Sequence, residues 1–507
     1  MSSVLKSRAV KAAVLALGQF TAMCTAILIG AVLTRVFSET QYAVYQKTFL
    51  AFNIVVPLLT FGIPLALYYF IPRRKDASRA VVTENLLILS AGAIGFSLFI
   101  LLGGNEVMAR QFQNPALASS LMWLVPFAFF ELYSRSVGPC LMAHDQAHLV
   151  AIYNVVTRLF VMILGISAAF LFATTTAVIV AMVIAAGIRL LIGFALMWQA
   201  TRGTRGAPTM SGVTEQLRYG IPLGIAGVFG TLTLTMDKFI VASLCSNVDF
   251  AIYAVGAFEI PLVGIITGSV TAVLLADLST MFTENKKGEA VGMWGRAAEK
   301  VAMLLFPVMV GLFVIAPEVI TLLFSEKYAK SVLPFRLYLL LVPMRIVNYG
   351  SMIMSAGRSK LILLRAAVAF ALNIVLSIVL TRSLGYVGAI IATILVSYLW
   401  SVPFNLIVIS RLWSTPVSRL LPWGRLAATL GLAVAACPVL LIDHLTGTSS
   451  RWLVLGVLSP LYAGLMCAAL IQAGLLPHSF PRMLFRKIRQ RIRRATAEPE
   501  RPTGHGP

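Results

Sequence analysis

Charge is scarce in this 507-residue chain. Asp, Glu, Lys and Arg make up 12% of it, and acids are the rarer kind, 19 against 41 basic residues. A soluble domain carries about 25% charged residues to wet its surface, and a disordered chain is poorer still in apolar residues. Both classes are excluded. Cysteine is sparse as well: five residues, an odd number, with no C-x-x-C spacing. Neither a disulfide framework nor a thiolate metal site is expected. The five histidines, His144, His148, His444, His478 and His505, fall at loops or in the tail, with no carboxylate constellation nearby. No H-E-x-x-H, G-x-S-x-G or G-x-x-x-x-G-K-[ST] pattern occurs. Zinc-peptidase, nucleophile-elbow and nucleotide-loop chemistry therefore have no carrier, and no cofactor is implied.

What the chain has instead is apolar sequence, 59% hydrophobic with mean hydropathy +0.89. A bilayer crossing takes about 20 such residues in a helix. By that rule the sequence predicts an all-α polytopic membrane protein with fourteen spans, at 12–35, 46–71, 82–103, 119–141, 147–171, 175–199, 216–243, 250–276, 298–323, 331–355, 361–381, 386–410, 422–442 and 452–474. The basic start, Met1 to Lys11, resembles a signal-peptide n-region, but the run Ala12 to Leu33 is too long for an h-region and reads as a retained first span. No hydrophilic domain interrupts the spans, so the work of the protein is done within the bilayer.

The net charge of +22 would point to nucleic acid in a soluble protein. Here it follows from Lys and Arg collecting on the cytoplasmic side of the membrane. With both termini inside, the inner segments hold 28 Lys/Arg, the outer segments 6 and the spans 7. Without the tail the ratio is still 20 to 6. From Pro481 the tail sets Leu484, Phe485, Ile488 and Ile492 on one face among seven basic residues. It reads either as an interfacial helix on an anionic leaflet or as charge that fixes topology. Residues 495–507 read as disordered.

Two internal echoes suggest duplication. Ser38-Glu39-Thr40-Gln41-Tyr42-Ala43-Val44-Tyr45 is identical or similar, position by position, to Ser246-Asn247-Val248-Asp249-Phe250-Ala251-Ile252-Tyr253 at an offset of 208, except at Thr40/Val248. Leu141-Met142-Ala143 before Leu149 matches Ile353-Met354-Ser355 before Leu361 at an offset of 212. Gly-Ile-Pro-Leu also occurs twice, at 62–65 and 220–223, outside this offset. Two six-span units in the same orientation are the architecture of alternating-access transporters, with the site between the halves.

A charge at bilayer depth costs at least ~2.5–3.5 kcal/mol, so each needs a partner, water or a task. Glu131 and Arg135, four apart on one helix, can neutralise each other. Asp237 and Lys238 are neighbours pointing about 100° apart, so at least one needs a partner on another helix. Glu259 stands two residues before Pro261, as a titrating group or as the partner of Lys238 or Arg345. Arg158, Arg189 and Arg345 have no acid at i±3 or i±4. They are candidates for an anionic ligand, because a guanidinium stays charged and grips phosphate or carboxylate with two N–H groups. The competing reading pairs them with Glu131, Asp237 or Glu259. Lys47, Arg336 and Glu84, nearer helix ends, can snorkel.

Leu217-Arg218-Tyr219-Gly220-Ile221-Pro222-Leu223, Asp237-Lys238-Phe239-Ile240-Val241, Phe250-Ala251-Ile252-Tyr253, Leu323-Phe324-Ser325-Glu326-Lys327-Tyr328 with Leu333, and Asn373 with Gly385-Tyr386-Val387-Gly388-Ala389 resemble, in this order, the polysaccharide flippases of the Wzx type. These belong to the multidrug/oligosaccharidyl-lipid/polysaccharide exporter superfamily. The resemblance covers spans 1–12. It implies two six-helix lobes in a V, here 1–200 and 215–412, then two further helices in 413–476 and a basic cytoplasmic tail, 477–507. It implies a transporter rather than an enzyme, in the bacterial inner membrane. The substrate would be an undecaprenyl-pyrophosphate-linked oligosaccharide for O-antigen, capsule or exopolysaccharide synthesis, with a polymerase and export machinery as partners. Arg158, Arg189, Arg345, Lys238 and Lys47 are then the cavity candidates, and Asp237, Glu259, Glu131 and Arg135 the coupling or ion-pair candidates. Lipid II flippases also have fourteen spans but carry an arginine cluster in the first two. Here those spans have only Arg35 and Lys47. Drug/cation antiporters of the superfamily usually have twelve spans, many with an acid in the first, which is lacking here. O-antigen polymerases and ligases usually have a large periplasmic loop, whereas the outer loops here are short.

Overall fold

The computed structural model describes residues 23–258, 260–442 and 453–475, together with Gly18 and Thr21. The basic N-terminal segment, the tail from Pro481 and Glu259 lie outside the described residues. The described elements are all helical. They are α1 (Met23–Val36), α2 (Glu39–Arg73), α3 (Lys75–Gln111), α4 (Ala116–Met122 with Leu124–Ala143), α5 (Ala147–Phe172), α6 (Thr175–Ala200) and α7 (Met210–Leu244). Then follow α8 (Asn247–Gly256), α9 (Pro261–Thr283), α10 (Lys287–Val314), α11 (Ala316–Phe324), α12 (Glu326–Leu339 with Val342–Ser355), α13 (Ser359–Leu384), α14 (Tyr386–Leu412), α15 (Trp423–Leu441) and α16 (Val454–Gln472). Among the described residues nine helices are long and apolar enough to cross a membrane, or up to eleven if each bent pair is one span. The expected 250–276 span is divided into α8 and α9. Gly256 lies so close to α12 that a Cβ there would stand 2.6 Å from the Ser331 carbonyl oxygen, and Pro261, which has no N–H to donate, opens the next helix.

The duplication reappears as geometry. Ser38 caps α2 by accepting from the Gln41 N–H at 3.2 Å, and Ser246 caps α8 by accepting from the Asp249 N–H at 3.1 Å. Both caps satisfy helix donors that have no partner within the helix. The second echo is a matched turn. Gln146 N–H donates to Leu141 O at 2.9 Å and Leu149 N–H to Gln146 O at 3.0 Å. Arg358 N–H donates to Ile353 O at 3.2 Å and Leu361 N–H to Arg358 O at 3.0 Å. The helices before these turns, α4 and α12, are each bent, by 48° and 45°.

The two Gly-Ile-Pro-Leu segments pack against each other. At Phe61 and Gly62 the chain takes left-handed φ values of 39° and 69°, kinking α2. A Cβ on Gly62 would stand 2.9 Å from the Gly224 nitrogen, and one on Gly224 would overlap the Phe61 carbonyl carbon. Only glycine permits this backbone approach. Beside it, the fully buried Glu84 accepts from Arg74 Nη1 at 2.9 Å, Thr209 N–H at 3.1 Å and Gln216 Nε2 at 3.2 Å. Asn85 Nδ2 donates to Gln216 Oε1 at 2.8 Å, and Ser136 Oγ to Asn85 Oδ1 at 2.8 Å. The first half of α7 is thereby fastened to α2, α3 and α4. This corrects the expectation that Glu84 snorkels: its four acceptor sites are satisfied by protein, which is what permits a buried carboxylate.

At the opposite, Lys/Arg-poor end a second seam joins the early helices to the later ones. Lys47 Nζ donates to Phe112 O at 2.9 Å and to Asn247 Oδ1 at 2.8 Å, and stands 5.3 Å from the centre of the Phe250 ring. Asn114 Nδ2 donates to the same Asn247 oxygen at 3.3 Å, and Gln113 Nε2 to Ser243 O at 3.1 Å.

Candidate functional site

Between the two seams lies a cavity of about 670 Å³, within the ~300–1,000 Å³ of ordinary ligand pockets. Its wall carries charge from four helices. Arg135 and Glu131 enter from α4, Arg158 from α5, Arg189 from α6 and Lys238 from α7. That is four cations against one carboxylate, a net +3 on a wall of low-dielectric protein. The same wall is in part aromatic, with Tyr45, Phe49, Phe127 and Phe258 on it.

The charges divide by partner. Glu131 accepts from Arg189 Nη1 at 2.9 Å and lies 3.5 Å from Arg135 Nη2. The expected same-helix pair is present, and Arg189 joins it from α6. The hydroxyl of Tyr153 donates to the Arg189 carbonyl oxygen at 3.2 Å, while Arg189 Nε is buried with no acceptor. Arg158 is exposed to the cavity. The side chains of Arg158 and Lys238 make neither an ion pair nor a hydrogen bond with described residues. They are the two cations of the wall left for a ligand.

Asp237 and Lys238 diverge as neighbouring helix positions must. Lys238 turns to the cavity, and Asp237 turns into the protein, where Tyr253 Oη donates to it at 2.6 Å and Lys238 N–H at 2.8 Å. The hydroxyl from α8 takes the place of the counter-cation expected for Asp237. Arg345 stands apart, on a separate crevice of about 20 Å³ with Phe258, Tyr338 and Val342. Lys47 is not on the cavity wall either. It is fully buried in the second seam, which corrects both its snorkelling and its place among the cavity candidates: Phe112 and Asn247 offer oxygens to the ammonium inside the protein, so it has no need of the interface.

The polar stripe of α2 went unremarked in the sequence. Tyr42, Tyr45, Gln46, Phe49 and Asn53 all line the cavity. Their three- and four-residue spacing puts them on one helix face, and two amides on an otherwise apolar span were the available signal.

The geometry has known counterparts. A family model described as polysaccharide biosynthesis protein matches residues 32–333, more than half of the chain. A solved structure of the lipid II flippase MurJ in an inward closed conformation superposes with a TM-score of 0.71, at 15% identity, over 90% of this chain and 99% of that one. An inward-facing multidrug resistance transporter of the MATE family gives 0.64 at 13% identity, over 78% and 96%. A transporter of the same superfamily from Pyrococcus furiosus gives 0.56 at 13% identity, over 80% and 96%. At these identities the likeness is one of fold. No curated protein matches the sequence. The chain is a multi-pass membrane protein that belongs to the polysaccharide biosynthesis protein family and has the fold of the multidrug/oligosaccharidyl-lipid/polysaccharide exporter superfamily.

Proposed function

We propose that this protein flips an undecaprenyl-pyrophosphate-linked oligosaccharide from the inner to the outer leaflet of a bacterial inner membrane, with both termini cytoplasmic. The observation that carries the reading is the cavity wall of net +3, on which the side chains of Arg158 and Lys238 make no ion pair or hydrogen bond with the described residues. Unpaired cations at membrane depth are costly, and an anionic head group brought in by the substrate supplies what the protein withholds. Arg158 and Arg189 suit phosphate oxygens because the guanidinium presents parallel donors, and Lys238 adds a charge from the other half of the molecule. The aromatic side chains of the cavity wall give faces for sugar rings to lie against, while the prenyl tail stays in lipid.

In this reading residues 1–200 and 215–412 are two lobes that rock about the bound head group. The outer seam at Lys47 and Asn247 is closed while the head group enters from the cytoplasm. Asp237, Glu131 or Glu259 couples the cycle to an ion gradient. The likeness to MurJ favours one second reading, a peptidoglycan-precursor flippase, which shares the anionic head and the leaflet crossing.

Leaflet-resolved accessibility of lipid-linked sugars in cells depleted of the protein tests this. Accumulation of a polysaccharide intermediate on the cytoplasmic leaflet, with its synthesis intact, is the expected result. Accumulation of lipid II there supports the second reading. Normal flipping with unpolymerised units outside indicates a polymerase instead, and unchanged lipid-linked sugars an exporter of drugs or small ions.

A further inference from the structure

Glu131 is the lone carboxylate among the described residues of the cavity wall. A wall built only to grip an anion has no use for it. It ties α4 to α6 through Arg189, both side chains 16% exposed, and holds the more open Arg135, 39% exposed, at the cavity. That tie does not saturate Arg189, whose Nε has no acceptor among the described residues. The carboxylate occupies Arg189 and Arg135 while the cavity is empty and leaves Arg158 and Lys238 unpaired. A transport site must bind firmly enough to admit its cargo and weakly enough to release it. Four cations without a carboxylate would meet the first demand and fail the second.

Resting on the reading of this cavity as a site for an anionic head group, we propose that Glu131 is an internal competitor that sets the release of that head group. It holds Arg189 and Arg135 in the empty cavity, yields them to phosphate oxygens when the head group enters, and takes them back as the head group leaves. No covalent bond is made or broken; one anionic oxygen acceptor replaces another on the same guanidinium groups.

The signature is opposite movement of affinity and turnover. Glu131→Gln keeps an oxygen facing Arg189 but removes the charge. Geranyl pyrophosphate, titrated into the purified full-length protein in nanodiscs, should bind at least about tenfold more tightly to this variant. Flipping of a fluorophore-labelled prenyl-pyrophosphate disaccharide in vesicles, read with a membrane-impermeant quencher, should slow by a similar factor. Glu131→Asp, which restores the charge, should move both values back toward the parent. A merely structural Glu131 would lower affinity and turnover together. Unchanged or weaker binding in Glu131→Gln overturns the proposal, as does tighter binding with undiminished turnover. If Arg158→Ala binds the probe as tightly as the parent, the head-group reading of the cavity fails, and the proposal fails with it.

Discussion

Lys47 is the residue whose loss should open the second seam, the one at the Lys/Arg-poor end. Its ammonium is fully buried, donates at 2.9 and 2.8 Å to Phe112 O and Asn247 Oδ1, and bridges helices far apart in sequence. Hydrogen bonds from a charged group each contribute about 1.5–3 kcal/mol. Lys47→Ala removes both and leaves the space of a four-carbon stem unfilled. It also removes the cost of burying an ammonium with no carboxylate beside it, so the low end, ~3 kcal/mol for the two bonds, is the appropriate figure. That shifts the closed-to-open ratio of the seam by about 100-fold. Hydrogen exchange reports it directly, because local opening sets the exchange of amides at the seam. The amide of Asn114, bonded to Ala109 O, and that of Cys245, bonded to Val241 O, should exchange up to about 100-fold faster in the variant. The amides around the Glu84 network at the other end should keep their rates. Unchanged protection at both seam segments would refute the assignment of Lys47 as the tie.

Arg158→Ala should weaken geranyl pyrophosphate binding by at least about tenfold, the loss of one charge-assisted contact, without lowering thermal stability, because that guanidinium has no hydrogen-bond or ion-pair partner among the described residues to orphan; a lowered melting temperature with unchanged binding would contradict this. Tyr253→Phe removes the 2.6 Å bond to buried Asp237 and should cost about 1.5–3 kcal/mol of stability, read by thermal unfolding in detergent. Asp237→Asn keeps an acceptor for that hydroxyl and should cost less, so the reverse order would show that Tyr253 does not hold Asp237. Gly224→Ala drives a methyl group into Phe61 and should destabilise by about 1–3 kcal/mol. Gly95→Ala, where a Cβ would meet nothing within 4 Å, should instead stabilise by about 0.5–1 kcal/mol, and equal effects at the two sites would remove the case for a close helix crossing.

Much of the fold was legible because hydropathy is local. The echo at offset 208 paired Ser38 with Ser246, which prove to be equivalent helix caps, and the echo at 212 paired two equivalent turns. The starts of α2 and α7 lie several residues before the expected spans because Ser38 and Thr209 cap polar first turns that a hydropathy window discounts. The break between α8 and α9 was signalled by Pro261, but its depth comes from contact with Ser331, which no local pattern encodes. The two Gly-Ile-Pro-Leu segments were visible as a repeat. Their meeting depends on two kinked helices crossing, which only the tertiary structure supplies.

The site was legible in its residue types and less so in their pairing. An acid at i±4 can be read from sequence, and Glu131 with Arg135 is such a case. The absence of one says little, because partners come equally from other helices: Arg189 finds Glu131 from α6, and Glu84 collects Arg74, Thr209 and Gln216 from three elements. Lys47 shows the same limit from the other side. It has no carboxylate at all, yet it is satisfied by a backbone carbonyl and an amide, acceptors that no count of charges records. Sorting intramembrane cations by nearby acids therefore overstates how many await a ligand. The stricter criterion is a side chain that faces a cavity and has no acceptor of any kind. Among the arginines and lysines on the cavity wall, Arg158 and Lys238 meet it with respect to the described residues. They sit on different helices, α5 and α7, so under the proposed rocking of two lobes a head group bridging them would lose one of its holds whenever those helices separate, which would make its grip depend on the conformational state of the protein.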